Sequence, residues 1–340
     1  MKTHMYLEAV SSPQQVQLQL AADADRYAAL GAALRARPPR GTVTIARGSS
    51  DHAAAYLAYL IMARSGQLVT SLPMSLLTLY QAPLPLADML AISVSQSGRS
   101  PDLVEPMQRF QQAGATTVAL VNDAASPLAA AVDWTLPLHA GPEHSVAATK
   151  SFICSLVAGA RLAASWADNA DFTARLADLP TALEQACSQD WSAAIAPLLQ
   201  AERLMVIGRG PGLAVANEAA LKFKETCAIQ AEAFSGAEVQ HGPMALVDEA
   251  YPMLIFAPRG PAQPGLVALA AAMRQRGAHV LLAAPADVAT RDLTLATAPH
   301  EDLDPITAIQ SFYLLVEAVA HARGQDPDKP RHLSKVTRTR

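Results

Sequence analysis

Cysteine and charge are both scarce in this sequence. Its 340 residues include only three cysteines, Cys154, Cys187 and Cys227, and charged side chains make up 16% of the chain. The cysteines are odd in number and widely separated, so they have neither the spacing of metal ligands nor that of a disulfide framework. The formal net charge of −4 does not provide the basic surface that nucleic-acid binding requires. We therefore expect a reducing compartment, no metal and no nucleic-acid partner.

Uninterrupted apolar runs are also short. The stretch from Ser151 to Trp166 is rich in apolar residues, but Arg161 interrupts it and it is shorter than the ~20 residues that a membrane-spanning helix needs. The beginning of the chain, MKTHMYLEAVSSPQQVQ, lacks the apolar core of a signal peptide. We therefore expect no membrane partner and a cytoplasmic location.

The chain does contain a regular alternation of strand-like and helix-like segments. Short β-branched runs that end in glycine or serine alternate with Ala/Leu-rich stretches, which is typical of parallel sheets with helices on both faces. A similar loop follows the first strand-like run of each half, at 46–49 (ARGS) and 207–210 (IGRG), so we interpret the halves as copies of one unit. The sequence predicts an α/β fold of two tandem, doubly wound, flavodoxin-like parallel-sheet domains.

The predicted elements divide the chain into five segments. These are an N-terminal helical segment (1–24), a first α/β domain (25–167), a helical linker (168–190), a second α/β domain (191–328) and a C-terminal active-site tail (329–340). The predicted strands are Thr42–Ala46, Leu68–Ser71, Met89–Val94, Thr116–Val121, Trp134–Leu138, Leu204–Ile207, Met253–Ala257, Val280–Ala284 and Leu293–Ala296. The main predicted helices are Asp51–Arg64, Pro101–Ala113, Val146–Ala167, Leu213–Ile229, Gly265–Arg276 and Pro305–Ala322.

Two serine-containing loops of the first half suggest a phosphate site. RGSSDH (47–52) and SVSQSGRSPD (93–102) each connect a predicted strand to a predicted helix. Hydroxyls and backbone N–H groups at a helix N-terminus, with the positive end of its dipole, can bind a dianion without a lysine. The predicted phosphate ligands are Ser49, Ser50, Ser95, Gln96, Ser97 and Ser100. The second half has no equivalent, because its corresponding strand continues into a proline-containing loop at 258–261.

Helix capping is the alternative explanation for these serines. For Ser49 or Ser50 alone, capping is the commoner role. For the loop of Ser95, Ser97 and Ser100, with three hydroxyls in six residues, capping does not account for all of them, since one cap uses one hydroxyl.

The second half contains a candidate catalytic region. Glu218, Lys222 and Glu225 are spaced i, i+4 and i+7, which places them on one face of a helix. Spacing alone favours the alternative of an exposed Glu–Lys pair. A histidine in the turn His241-Gly242-Pro243 is a candidate general base, since its pKa needs little adjustment for that role. These residues lack the compact spacing of a metal site.

The motifs together resemble a known family. The whole chain is similar to the isomerase half of glucosamine-6-phosphate synthase, a tandem pair of sugar isomerase (SIS) domains. The matching motifs occur in order as GSS (48–50), SQSGRS (95–100), VAATKSF (146–152), NEAALKFKE (217–225), AEAFSGAEVQHGP (231–243) and PRHLSKV (330–336).

The resemblance implies roles for individual residues. The two serine loops would hold the sugar phosphate, and Val146 and Ala148 would contact the sugar, although the family often has serine at position 148. Glu225 would move a proton between C1 and C2, with Glu218 and Lys222 orienting it. His241 would promote ring opening and would come from the other subunit of a homodimer. Lys335 would act on the carbonyl carbon or its oxygen, and no cofactor is implied.

The expected function follows from one difference between this chain and the synthase. The first sugar domain begins within about thirty residues of the N-terminus, which leaves no room for a glutaminase domain. The RHLSKV ending also resembles stand-alone glucosamine-6-phosphate deaminases of the SIS type. We therefore expect conversion of glucosamine 6-phosphate and water to fructose 6-phosphate and ammonia.

Three alternatives stay open. Two are enzymes on the same scaffold, an aldose–ketose sugar-phosphate isomerase and a galactosamine-6-phosphate deaminase. The third is a non-catalytic sugar-phosphate sensor. A sensor needs only the serine loops, so the presence of Glu225, His241 and Lys335 favours an enzyme.

Overall fold

The computed structural model describes residues 2–335, which form two compact α/β units. The N-unit contains residues 14–143 and 150–177 together with 334–335, and the C-unit contains 2–13, 144–149 and 178–333. Neither unit is continuous in sequence. The last five residues of the predicted tail lie outside the described residues.

Fourteen α-helices lie within the described residues. In order they are α1 (His4–Val10), α2 (Ser12–Ala21), α3 (Ala24–Ala36), α4 (Ser49–Ser65), α5 (Ser75–Thr78), α6 (Pro101–Gln112), α7 (Pro127–Ala130), α8 (Lys150–Trp166), α9 (Ala170–Leu176), α10 (Leu179–Cys187), α11 (Ile195–Leu199), α12 (Gly212–Cys227), α13 (Gln263–Gln275) and α14 (Asp304–Ala322). Short 3₁₀ helices lie at Ser192–Ala194, Glu238–His241, Pro243–Leu246 and Glu301–Leu303.

Each unit has one five-stranded parallel sheet. The strands are β1 (Thr42–Ile45), β2 (Val69–Ser71), β3 (Leu90–Ser95), β4 (Thr116–Val121), β5 (Trp134–Pro137), β6 (Arg203–Gly208), β7 (Gln230–Ser235), β8 (Pro252–Phe256), β9 (His279–Ala284) and β10 (Leu293–Thr294). The strand orders are β2-β1-β3-β4-β5 and β10-β9-β8-β6-β7, and every pairing is parallel. The predicted fold class of two tandem doubly wound α/β domains is confirmed.

The order of the strands also locates a crevice in each sheet. In the N-unit the chain moves from β1 to β2 on one side and then returns to β3 on the other. The helices on either side of such a switch point cover opposite faces, which leaves a crevice beyond the carboxyl ends of the two strands. The loops after β1 and β3 are the two predicted phosphate loops. In the C-unit the equivalent position lies between β6 and β8.

Burial of apolar side chains explains the two cores. In the N-unit, Ile45 and Val121 of the sheet pack with Phe110 of α6, and all three are fully buried. In the C-unit, Ile255 of the sheet packs with Leu266 of α13. Because both faces of a parallel sheet are covered by helices, the central strands are almost continuously apolar.

The apolar helix near the C-terminus is part of the C-unit core. Its segment Glu301–Ala322 is long and apolar enough to span a membrane, with a mean hydropathy of 1.2, but 83% of its most apolar window is buried inside the protein. This segment was not among the apolar runs expected from the sequence to approach the length of a membrane span. Its burial is that of a core helix, which satisfies the same length and composition criteria.

Two local predictions differ from the structure. The helix expected from Val146 begins at Lys150, so the segment before it is irregular. Strand β7 was not predicted, because it lies at the edge of its sheet and its residues are small or partly exposed rather than β-branched.

Candidate active site

The serine loop after β3 is held tightly at the crevice. Ser95 is the last residue of β3 and is 6% exposed, and its Oγ accepts a hydrogen bond from the Gly98 N–H at 3.0 Å. The Oγ of Ser97 accepts one from the Arg99 N–H at 3.4 Å. A hydroxyl that accepts a hydrogen bond can still donate its own proton. Both serines are therefore able to donate to an anion.

Gly98 is required by the shape of this loop. Its φ is +61°, in the left-handed region, and a Cβ at this position would lie 2.2 Å from the Ser126 Oγ. The Gly98 carbonyl also accepts a hydrogen bond from the Leu128 N–H at 3.0 Å. The loop is thus packed closely against the start of α7, which fixes the direction in which its serines point.

The structure argues against side-chain capping as the role of these serines. Ser100 occupies the N-cap position of α6, yet its side chain accepts no capping hydrogen bond from the helix. The N-cap of α4 is Gly48, which has no side chain, and Ser49 and Ser50 form the first turn of that helix. By contrast, Ser126 caps α7 through its Oγ. Gln96 and Ser97 are half-buried at the same crevice.

One charged residue of the crevice was missed by the sequence analysis. The Arg47 Nε donates to the Asp102 Oδ2 at 2.9 Å, and the arginine side chain is 57% exposed whereas the aspartate is 1% exposed. Arg47 follows β1, and Asp102 lies in the first turn of α6, so their ion pair joins the two predicted phosphate loops. The signal in the sequence was the arginine at the start of RGSSDH.

A second acid lies in the first turn of α4. Burial raises the pKa of Asp51 above its ordinary value, while nearby His52, a hydrogen bond with Ser71 and the charge of Arg47 act in the opposite direction. The carboxylates of Asp51 and Asp102 therefore both lie at helix N-termini beside the serine loops, with Arg47 close enough to interact with each.

The charged face of α12 is buried in the C-unit. Glu218 and Lys222 are 0% and 1% exposed, which overturns the alternative of a solvated surface pair. The Lys222 Nζ lies 3.3 Å from the Glu218 Oε1 and donates to the Glu225 Oε2 at 2.6 Å. The Tyr313 hydroxyl of α14 donates to the Glu218 Oε1 at 3.2 Å.

The electrostatics of this cluster favour a charged lysine. Burial alone lowers the pKa of Lys222, but attraction by Glu218 and Glu225 and the hydrogen bonds to both carboxylates raise it above its ordinary value. One ammonium thus faces two carboxylates. Of the two, Glu225 has the accessible side chain, at 21% exposed. Its carboxylate is oriented by Lys222 and can still exchange a proton with a bound molecule.

His241 is not brought to this cluster in the described chain. It ends the 3₁₀ helix Glu238–His241, is exposed, and forms no hydrogen bond or ion pair with another described residue. The next residue, Gly242, has a φ of +149°. Glu232, which precedes His241 in the same motif, lies on strand β7 and is also exposed.

Lys335 is paired with a buried carboxylate that the sequence analysis also missed. Its Nζ donates to the Glu143 Oε2 at 2.9 Å, and the Glu143 side chain is 0% exposed. Glu143 additionally accepts hydrogen bonds from the Ser151 N–H at 3.1 Å and the Ser151 hydroxyl at 2.7 Å. All three residues belong to the N-unit. Val146 and Ala148 belong to the C-unit and are half-buried.

The described residues offer no metal site, and the apolar cavity of the N-unit is a poorer candidate for phosphate binding than the serine loops. Among residues 2–335, no group of three or more His, Cys, Asp and Glu side chains is placed to hold a metal ion. A cavity of about 490 Å³ in the N-unit has a mostly apolar lining that includes Leu20, Ala24 and Ala164. It shares no lining residue with the serine loops, and an apolar cavity does not suit a phosphate dianion.

The protein is a tandem pair of doubly wound α/β units, and one unit has serine loops at its topological switch point. Proteins of this class bind ligands beyond the carboxyl ends of their strands. The family model of the SIS domain matches residues 39–165 and 197–322. The chain therefore belongs to the SIS domain family and contains two copies of the domain, which confirms the resemblance drawn from its motifs.

Individual relatives agree with this assignment. The chain is 34% identical over 276 residues to the glutamine–fructose-6-phosphate aminotransferase (isomerizing) of Zymomonas mobilis, a match that covers 75% of this chain and 45% of that protein. The chain thus spans about half the length of the curated relatives it matches.

Two solved structures are similar over almost the whole chain. A candidate phosphosugar isomerase from Silicibacter pomeroyi DSS-3 is 44% identical, with a TM-score of 0.91 over 96% of this chain and 100% of that one. The C-terminal domain of the glucosamine–fructose-6-phosphate aminotransferase of Francisella tularensis is 25% identical, with a TM-score of 0.87 over 97% of this chain and 99% of that one.

Proposed function

We propose that this protein is a sugar-phosphate enzyme that deaminates glucosamine 6-phosphate, yielding fructose 6-phosphate and ammonia. The family and the relatives named for isomerizing fructose-6-phosphate aminotransfer support a proton transfer between C1 and C2 of a phosphorylated sugar. The hydrolytic direction is chosen because it requires only water as the second substrate. No cofactor enters the scheme, since the sugar's own carbonyl stabilises the carbanion.

The first step in the proposal is binding of the phosphate. The hydroxyls of Ser95, Ser97 and Ser100, the Gln96 amide, and the first turn of α4 with Ser49 and Ser50 surround the switch-point crevice of the N-unit. Donors at two helix N-termini suit a dianion. Because the phosphate is remote from the reacting carbons, its binding energy serves to position the sugar.

The second step is proton transfer at C2. His241 assists opening of the sugar ring to the aldehyde. The Glu225 carboxylate then removes the proton from C2, the electron pair forms a C1–C2 double bond, and the C1 carbonyl oxygen takes up a proton to give an enolamine. Glu225 returns its proton to C1, which leaves an imine at C2. Glu218 and Lys222 keep the Glu225 carboxylate oriented, with the 2.6 Å hydrogen bond from Lys222 as the direct contact.

The last step is hydrolysis of the imine. Water adds to C2, the C–N bond breaks and ammonia leaves, which gives the ketone of fructose 6-phosphate. In this scheme Lys335 acts on the carbonyl carbon or its oxygen, and Val146 and Ala148 contact the sugar. Its ion pair with Glu143 keeps Lys335 close to the start of α8.

The observation that carries the proposal is the buried Glu218–Lys222–Glu225 cluster. Burying an ionic cluster costs free energy, so such a cluster is a candidate functional site. We expect Glu225→Gln to lower ammonia release from glucosamine 6-phosphate by about 10²- to 10⁴-fold, the usual contribution of a general base. Gln can still accept the hydrogen bond from Lys222, so the fold and sugar-phosphate binding should persist.

The assay measures ammonia release from glucosamine 6-phosphate and galactosamine 6-phosphate, together with interconversion of fructose 6-phosphate and glucose 6-phosphate. Glu232→Gln is the matched control, since Glu232 is exposed on β7, and it should leave turnover unchanged. Turnover that survives Glu225→Gln would refute the role of Glu225. Release from galactosamine 6-phosphate alone, or isomerisation without ammonia, would replace the proposed substrate or reaction.

A further inference from the structure

The serine loops bind a dianion in the proposed function, yet the crevice already contains two acids. Asp102 is buried in the first turn of α6, and Asp51 lies in the first turn of α4. Each carboxylate is favourable at a helix N-terminus on its own. A phosphate brought to the same two N-termini would be repelled by both, because like charges at short range cost free energy. A cation in the crevice would offset this repulsion.

Arg47 is the residue placed to supply that cation. Strands β1 and β3 are neighbours, with Ile45 paired to Ser93, and the Ser93 hydroxyl donates to the Ile45 carbonyl at 2.9 Å. Arg47 lies two residues beyond Ile45, at the same edge of the sheet as Ser95. Its Nε is 2.9 Å from the Asp102 Oδ2. The guanidinium is thus tied to the first turn of the helix that follows the serine loop.

The ion pair uses only one edge of the guanidinium. The two terminal nitrogens of Arg47 donate to no described residue, and the side chain is 57% exposed. Arg99, the other arginine of these loops, differs because its terminal Nη2 donates to the Asp123 carboxylate at 2.9 Å. An arginine held at Nε and open at both terminal nitrogens has the geometry that binds phosphate through two parallel hydrogen bonds.

We propose that Arg47 is a phosphate ligand that works together with the serine loops, and that Asp102 is a positioning residue that holds its guanidinium toward the crevice. This inference rests on the proposed phosphate site. It adds a charged donor to a set of hydroxyl and amide donors, and it predicts that affinity for phosphate depends on ionic strength more strongly than a set of neutral donors would.

Binding of inorganic phosphate, measured by isothermal titration calorimetry, tests the inference without relying on turnover. Arg47→Ala should weaken binding by about 10- to 100-fold, the loss expected for hydrogen bonds to a charged group. Arg47→Lys should recover part of the affinity, because lysine keeps the charge but not the paired donors. With substrate, Arg47→Ala should raise KM and leave kcat nearly unchanged, since remote binding is the same in ground and transition states.

Arg99→Ala is the matched control, because it removes the same charge from a neighbouring loop position whose guanidinium is bonded to Asp123. It should leave the phosphate Kd within about twofold of the parent value, as expected for an exposed ion pair. A phosphate Kd for Arg47→Ala equal to that of Arg99→Ala would overturn the inference.

The double variant Arg47→Ala/Asp102→Asn separates ligation from simple charge compensation. If Arg47 only neutralises Asp102, removing both charges restores the parent affinity to within about fivefold, and the inference is overturned. If Arg47 is a ligand, the double variant binds phosphate more than about fivefold more weakly than the parent protein does. Ser97→Ala tests the underlying site. If neither Ser97→Ala nor Arg47→Ala affects phosphate binding, the proposed phosphate site itself is rejected. If only Ser97→Ala weakens phosphate binding, only the role of Arg47 is rejected.

Discussion

At the scale of single residues, Lys222 shows how burial changes the meaning of a common sequence pattern. Glu and Lys at i and i+4 usually form a weak pair on a helix surface. Here the ammonium is 1% exposed and lies between Glu218 and Glu225. Removing one member of such a cluster leaves the others charged in a medium that solvates them poorly.

We expect Lys222→Met to lower the free energy of unfolding at neutral pH by about 3–5 kcal/mol, because it leaves the buried Glu218 carboxylate without a counter-ion. Since the pKa of Lys222 is raised in the folded state, its contribution is present below the ordinary lysine pKa and is lost as the pH rises through the folded value. Denaturant unfolding measures the difference. Lys224→Met, at an exposed position on the same helix, is the control, and an equal loss in both variants would contradict the argument.

At the scale of elements, the loop after β3 depends on one backbone conformation. Gly98 has positive φ, and its Cα faces Ser126 so closely that no Cβ fits. The two serines before it, Ser95 and Ser97, are oriented by hydrogen bonds that their hydroxyls accept from the Gly98 and Arg99 N–H groups. The geometry of this serine loop and the stability of its turn are therefore set by the same residue.

Gly98→Ala should destabilise the protein and weaken phosphate binding, because the new methyl group has to displace Ser126 and the alanine backbone has to adopt a positive φ. Gly66→Ala is a matched control with φ of +68° and no atom within 4 Å of the added Cβ. We expect Gly66→Ala to lower the free energy of unfolding by about 1 kcal/mol, from the backbone conformation alone. Gly98→Ala should lower it by more. Thermal unfolding and phosphate calorimetry measure both. Equal stabilities with unchanged phosphate affinity would show that the contact with Ser126 is unimportant.

At the scale of the whole molecule, His241 is exposed and has no partner among the described residues, although the proposed mechanism requires it. The resemblance to the SIS family implies that it acts in the other subunit of a homodimer. A shared site of this kind predicts complementation between two inactive variants.

We expect mixtures of Glu225→Gln and His241→Ala protomers to recover about a quarter of the parent activity after random exchange, since each mixed dimer then contains one complete site. Co-refolding of equal amounts followed by the ammonia assay measures this. Each variant refolded alone is the control and should stay at its residual level. No recovery in the mixture, with mixed dimers verified by affinity tags, would place His241 and Glu225 of one chain in the same site.

Much of the architecture follows from local sequence. Apolar β-branched runs such as Thr116–Val121 mark central strands because both faces of a parallel sheet are buried. Proline at the first position of α6 and the serine-glycine loop before it mark the start of that helix. The edge strand β7 and the start of α8 at Lys150 were not predictable in this way, because their residues do not differ in composition from loops or helix interiors.

By itself the sequence determined the fold class, the family and the serine loops, since these depend on periodicity and on residues that are close in the chain. Only the tertiary structure decided that Lys222 is buried between two carboxylates, that Arg47 is tied to Asp102, and that Lys335 is paired with Glu143. The last two pairs join residues 55 and 192 positions apart. Burial and pairing at such separations depend on how distant segments pack, which no local pattern encodes.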